Sequence, residues 1–171
     1  MWAALTGILA VVAIGNTLLT LGLIARIRTL QELVEERLGM NGDLMQPGTP
    51  VGDFSVPVTA GEQVDTIDNA ALANGTTLVG FFTPGCGKCE EAKAALLAKP
   101  PPWPMLAFIE GSPFDPPSQV IADQLCGIAR PVFIQHNTDT TRAFGVSGYP
   151  TLVRVTDGKV AIAGRTVAEV M

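Results

Sequence analysis

From Met1 to Ala25 no side chain is charged. The run MWAALTGILAVVAIGNTLLTLGLIA is apolar on every helical face, with Asn16 and Thr17 its markedly polar mid-span side chains. At about 1.5 Å of rise per residue, it is long enough for a bilayer core of about 30 Å. The pattern predicts a transmembrane anchor over residues 1–25. A cleaved signal peptide is the alternative. It calls for a basic leading segment, a shorter apolar core and a small-residue cleavage site. No Lys or Arg precedes this run, and the run is long. Residues 26–38 keep a helical period, with Ile27, Leu30, Val34 and Leu38 on one broad face. GMNGDLMQPGTPVGD then breaks the helix with Gly, Asn and Pro. Residues 26–49 therefore read as a juxtamembrane helix and linker, and residues 50–171 as the globular domain.

Within that domain the period switches between two and 3.6. DFSVPVT predicts a short edge strand, because Pro57 cannot donate to a ladder. Asp68 to Ala73 predicts a short helix closed by Asn74-Gly75. TTLVGFF predicts a strand buried on both faces. Gly87 to Lys99 predicts a helix with Ala92, Ala95, Leu96 and Leu97 inward, ended by Pro100 to Pro102. MLAFIE and PVFIQ predict two further strands, with a helix from Ser118 to Cys126 between them. Thr138 to Phe144 predicts a short helix stopped by Gly145. TLVRVT, the turn Asp157-Gly158 and KVAIAG predict a β-hairpin. The order βαβαβα followed by ββ is that of an α/β domain. Its parallel strands are joined by crossover helices and closed by an antiparallel hairpin.

Composition refines this picture in two places. Hydrophobic residues reach 47% and charged residues only 16%, an apolar balance that the first 25 residues account for. Arg26, Arg28 and Arg37 balance Glu32, Glu35 and Glu36, so the net charge of −5 belongs to the part after residue 40. No basic cluster exists there to neutralise phosphates, which argues against nucleic acid as a partner. Arg26 and Arg28 directly follow the apolar run and nothing basic precedes it. By charge alone they place the C-terminal domain in the cytoplasm.

The candidate chemistry lies in FFTPGCGKCEEAKAALL, where Cys86 and Cys89 are two residues apart. Zinc needs four ligands, commonly from two clusters. The other candidate ligands are Cys126 and His136, and neither belongs to a second pair. A purely structural disulfide closing so small a loop removes little chain entropy. A redox pair fits the placement after a buried strand and at the start of a helix. There Cys86 meets unpaired N–H groups and the positive end of the helix dipole, which favour its thiolate. Lys88 adds positive charge, while Glu90 and Glu91 oppose it. Cys89, one turn inside, is placed to resolve a mixed disulfide. Cys126, among Ile121, Leu125 and Ile128, reads as a core thiol. His136, after a strand, reads as a surface or loop histidine. Trp103, in the stiff connector KPPPWP, reads as packing on the domain.

A second signal is GVSGYPTLVRVTDGKVAIAG. Pro150 starts the strand that leads into the hairpin. A cis Tyr149–Pro150 bond would present backbone groups of Tyr149 beside the cysteines, where a client chain can pair with them as an added strand. An ordinary trans proline at a strand edge is the alternative.

Together, LVGFFTPGCGKC and GVSGYPTLVRVTDGKV resemble the thioredoxin superfamily over roughly residues 50–165. The interval between the two motifs is longer than in plain thioredoxin, as in the membrane-anchored TlpA/ResA-type branch. The apolar N-terminus, the stalk and PVGDF are similar to the MauD type. The resemblance implies a thioredoxin-like fold with a central mixed sheet flanked by helices, and a thiol–disulfide oxidoreductase tethered by one N-terminal helix. Its domain would lie outside the cytoplasm, against the charge reading of Arg26 and Arg28. Cys86 and Cys89 become the catalytic pair, Tyr149 and Pro150 the substrate-binding loop, and Gly87 and Lys88 the dipeptide that tunes the potential. The implied partners are a protein thiol or disulfide client and an upstream redox protein, with no bound cofactor and no metal. The sequence departs from the family at three positions. Gly85 replaces a frequent Trp, Gly80 matches the buried Asp of thioredoxin, and Ala92 matches a frequent helix Glu. Those departures keep a non-enzymatic binding or copper-chaperone module as the alternative function.

Overall fold

The computed structural model describes residues 44–60, 63–136 and 138–171. The expected anchor over 1–25 and the juxtamembrane helix lie outside the described residues. Among those described, no helix is long and apolar enough to cross a membrane.

A five-stranded sheet forms the centre, in the order β5-β4-β3-β6-β7. Its strands are β3 (Thr76–Phe82), β4 (Met105–Glu110), β5 (Arg130–Ile134), β6 (Thr151–Thr156) and β7 (Lys159–Gly164). The first three are mutually parallel, and β6 and β7 are antiparallel. Helices α1 (Gly87–Ala98), α2 (Pro116–Leu125) and α3 (Asp139–Ala143) link the parallel strands and β6, and α4 (Val167–Val170) follows β7. The mixed sheet is the expected one. At the β6–β7 turn, Asp157 and Gly158 both have positive φ, as a two-residue hairpin requires.

The N-terminal part of the domain differs from expectation. Residues Ser55–Ala60 form β1, but it pairs with a strand that the sequence pattern did not reveal, β2 (Gln63–Asp68). The two make a separate antiparallel hairpin outside the central sheet. The expected helix over Asp68–Ala73 is a single 3-10 turn, Asn69–Leu72, capped by the Asp68 side chain.

Strand β3 is buried by neighbours on both edges and by cores on both faces. Its alternation sorts the side chains. Val79 and Phe81 enter a core with Phe54, Phe108 and Phe144, whose rings lie 5.0–6.1 Å apart. Leu78 and Phe82 enter the opposite core, which holds Cys89, Leu96, Ile121 and Leu125.

Three expected core positions are corrected. The buried stripe of α1 is Cys89, Ala92, Lys93 and Leu96, whereas Ala95 and Leu97 face outward. Lys93 takes the place expected for Leu97. Its stem is buried while its ammonium bonds Gln124 at 2.6 Å and Glu90 at 2.8 Å. Cys126 is exposed rather than a core thiol. It caps the end of α2, just beyond the stripe formed by Ser118, Ile121, Ala122 and Leu125. Trp103 does pack on the domain, with the Arg154 guanidinium 5.1 Å over its ring.

Candidate active site

Strand β3 ends at Phe82, and Thr83-Pro84-Gly85 turn the chain into α1. Gly85 has φ +76°, the left-handed region where an L side chain is strained even in open space. The Trp found here in related motifs is therefore disfavoured by the backbone of this turn.

Cys86 is the N-cap of α1, and its Sγ accepts the N–H of Cys89 at 3.1 Å. That is a partner for one of the helix's orphan donors, and it stabilises negative charge on sulfur when the pair is reduced. Cys86 is half-buried, whereas Cys89 is fully buried. The two cysteines are joined as a disulfide, with Cα atoms 5.2 Å apart. Gly87 and Lys88 are exposed between them. The Lys88 ammonium pairs with Glu91 at 3.1 Å, on a surface where such a pair contributes little.

The second motif meets the first. Tyr149–Pro150 is cis, and the Tyr149 carbonyl oxygen lies 3.6 Å from Cys86 Sγ. Pro150 is buried. Tyr149 is half-buried and packs against both cores. Burial, together with the Glu110 carboxylate beside it, holds its phenol protonated well above the ordinary range. Glu110 also bonds His136 Nδ1 at 2.8 Å, and His136 is exposed as expected.

At the two positions where the resemblance led a carboxylate to be expected, the chain has Gly80 and Ala92. A Cβ on Gly80 would lie 2.7 Å from Phe82 Cε2 and 3.0 Å from Met105 Cε. Position 80 shares the face of β3 that packs toward Cys89, and its space is already filled by Phe82 and Met105. Ala92 is buried within the inward stripe of α1. Among the described residues, no group of three or more His, Cys, Asp and Glu side chains converges as a metal site would require.

Two features of the site carry little or no local sequence signal. Lys93 is buried one turn beyond Cys89, and only its spacing from Glu90 hints at its ion pair. Arg165, just after β7, reaches back to the loop before β6. Its Nη1 donates to the Pro150 carbonyl at 3.4 Å and its Nη2 to Ser147 Oγ at 3.1 Å.

The thioredoxin domain of a thiol-disulfide oxidoreductase from Bacteroides vulgatus superposes with a TM-score of 0.57 at 13% identity, covering 73% of this chain and 92% of that one. The fold is that of thioredoxin. A thiol-disulfide oxidoreductase from Bacteroides fragilis gives 0.52 at 18% identity, covering 67% of this chain and 89% of its own. A thio-disulfide isomerase from Thermus thermophilus gives 0.51 at 17% identity, covering 71% and 87%. No protein-family model and no curated protein sequence matches the chain. On this thioredoxin fold, the two cysteines stand where the first parallel strand meets its helix.

Proposed function

We propose that the protein is a membrane-tethered thiol–disulfide oxidoreductase that exchanges electrons with protein thiols through Cys86-Gly-Lys-Cys89. The observation that carries this reading is the asymmetry of the pair. Cys86 is reachable, capped by a backbone N–H and faced by the Tyr149 carbonyl, while Cys89 is buried behind it.

The chemistry follows from that asymmetry. The Cys86 thiolate attacks one sulfur of a client disulfide. A mixed disulfide forms and the other client sulfur leaves as a thiolate. The Cys89 thiolate then attacks Cys86 Sγ. The Cys86–Cys89 bond forms and the second client sulfur leaves. The client gains two electrons and the dithiol loses two. An upstream redox protein restores the dithiol, and the reverse sequence oxidises a client. The loop at Tyr149 and Pro150 lines up the client chain as an added strand, and Gly87 and Lys88 tune the potential. A potential well above about −200 mV marks an oxidant or isomerase, and a lower one a reductant.

The charge-free run at residues 1–25 supports the tether. An extracytoplasmic domain rests on likeness to anchored family members and is opposed by Arg26 and Arg28. Alkylation of Cys126 in intact cells by a membrane-impermeant maleimide tests it. Labelling before lysis supports that sidedness, and labelling only after lysis refutes it.

A second reading is a tethered binding or copper-chaperone module. It is favoured by Gly80 and Ala92, which leave Cys89 without the family's carboxylates. Insulin reduction in the presence of dithiothreitol separates the two. The wild type is expected to accelerate it and Cys86→Ser to fall to background. Full activity in Cys86→Ser sinks the exchange mechanism. Stoichiometric copper(I) binding without any exchange decides for the second reading.

A further inference from the structure

The loop Ser147–Pro150 has to keep its place over Cys86 while a client chain comes and goes. It is the connection between α3 and β6, and it is held at several points. Val146 N–H donates to the Thr141 carbonyl at 2.8 Å, and Thr151 Oγ1 donates to the Gly148 carbonyl at 2.6 Å. These bonds come from the loop's own chain neighbours. From distant parts of the chain, the Glu110 carboxylate meets the Tyr149 side chain, and Arg165 grips the backbone and Ser147 on either side of it.

Arg165 stands between β7 and α4, where its backbone is fixed. Its N–H and that of Thr166 donate to Glu169 Oε2 at 2.7 and 2.9 Å. Glu169 and Thr166 complete a capping box at the start of α4. The guanidinium is thus launched from a rigid base. It spans the loop, with one nitrogen on the Pro150 carbonyl and the other on Ser147 Oγ. Those contacts flank Tyr149, whose carbonyl faces Cys86. A planar fork with fixed donors suits this two-point grip better than a lysine does. The half-buried guanidinium is partly desolvated, which depresses its pKa and strengthens its bonds to neutral acceptors.

We infer that Arg165 is a positioning residue of the client-docking loop, holding Ser147 and Pro150 so that the Tyr149 backbone is pre-aligned beside Cys86. The inference rests on the exchange reading above. Its consequence is selective. A client that pairs with the loop depends on Arg165, whereas a small disulfide that needs no pairing reaches Cys86 without it. Pre-alignment lowers the ordering cost of docking, so its loss appears in KM for the large client.

The test compares two substrates, a cysteine-bridged peptide disulfide and the small aromatic disulfide 5,5′-dithiobis(2-nitrobenzoate), in single turnovers of pre-reduced wild type, Arg165→Met, Arg165→Lys and Ser147→Ala, so that the protein's own dithiol supplies the two electrons and KM and kcat are read from the substrate dependence of the rate. Arg165→Met is expected to raise KM for the peptide about tenfold, with kcat and the small-disulfide rate within about twofold of wild type. Arg165→Lys is expected to recover part of the loss. Ser147→Ala, at an exposed position, is expected to raise KM about threefold; it keeps the test decisive if Arg165→Met does not fold. Unchanged peptide kinetics in Arg165→Lys and Ser147→Ala overturn the inference while leaving the exchange reading intact. An equal fall with both substrates in those variants overturns it too, since the residue then acts on the cysteines or the fold. A wild type inactive toward both disulfides overturns the exchange reading and this inference with it.

Discussion

The Tyr149 carbonyl oxygen lies 3.6 Å from Cys86 Sγ, although 63 positions separate the two residues. Sheet register brings them together. Strands β3 and β6 are antiparallel, with Phe81 opposite Thr151. The turn that leaves β3 and the loop that enters β6 therefore meet at one end of the sheet. A one-residue slip of β6 against β3 would send Leu152 to the wrong core. Packing on both faces thus fixes the register, and the register fixes the site.

In the reduced, native protein, iodoacetamide should modify Cys86 and Cys126 and spare Cys89, which is buried on the inward face of α1. Peptide mapping by mass spectrometry reads this directly. Protection of Cys126 together with labelling of Cys89 would reverse the assignment of exposed and buried thiols.

Position 80 should resist the carboxylate of thioredoxin. Because the added Cβ meets Phe82 and Met105 at 3.0 Å or less, Gly80→Ala is expected to destabilise by about 1–3 kcal/mol, and Gly80→Asp by more. Urea unfolding monitored by tryptophan fluorescence checks this. A Gly80→Ala protein as stable as wild type would mean that the site relaxes freely.

Gly85 makes a different prediction from the same residue type. No atom lies within 4 Å of an added Cβ, so the cost comes from φ +76° alone. Gly85→Ala should destabilise by about 1–2 kcal/mol, and Gly85→Trp should not restore a better-packed turn. Thermal melts of both variants are the measurement.

Glu169 gives a pH dependence. The backbone N–H of Thr166, and then that of Arg165, hold its carboxyl below the ordinary range in the folded chain. A depressed folded pKa means stability that is present above the unfolded value of about 4.3, and lost as pH falls through the folded value. Glu169→Gln should lower stability by about 0.5–2 kcal/mol at neutral pH, as for other lost caps. The gap between the two proteins should close below about pH 4. A gap that stays constant from pH 7 to pH 3 contradicts the assignment.

Much of this site could be read in the sequence because its signals are local. The Asp157-Gly158 turn between alternating strands announced the closing hairpin, and Cys86 and Pro150 announced their own elements. What escaped was set by tertiary context. Strand β2 follows β1 after a short connection, and its polar sequence QVDTID leaves Ile67 as the one large apolar residue near its end. Lys93 was hidden because hydropathy favours Leu97, whereas the helix phase buries position 93 and its partners Glu90 and Gln124 receive the charge. Cys126 sits one step past the buried stripe of α2, a difference that apolar neighbours in sequence cannot convey. Arg165 is distant from Ser147 in sequence, and only the fold brings its fork to the loop.

If Cys86 exchanges with client sulfur and Cys89 resolves, the intermediate can be trapped. Reduced Cys89→Ser protein, in a Cys126→Ser background, is mixed with a peptide disulfide, and the intact mass is measured. One peptide is expected to add through a stable mixed disulfide at Cys86, released by dithiothreitol, while the same background with Cys89 restored passes on to the Cys86–Cys89 disulfide. Absence of any adduct in the Cys89→Ser protein, or an equally stable adduct with Cys89 present, rules out exchange at Cys86 with resolution by Cys89.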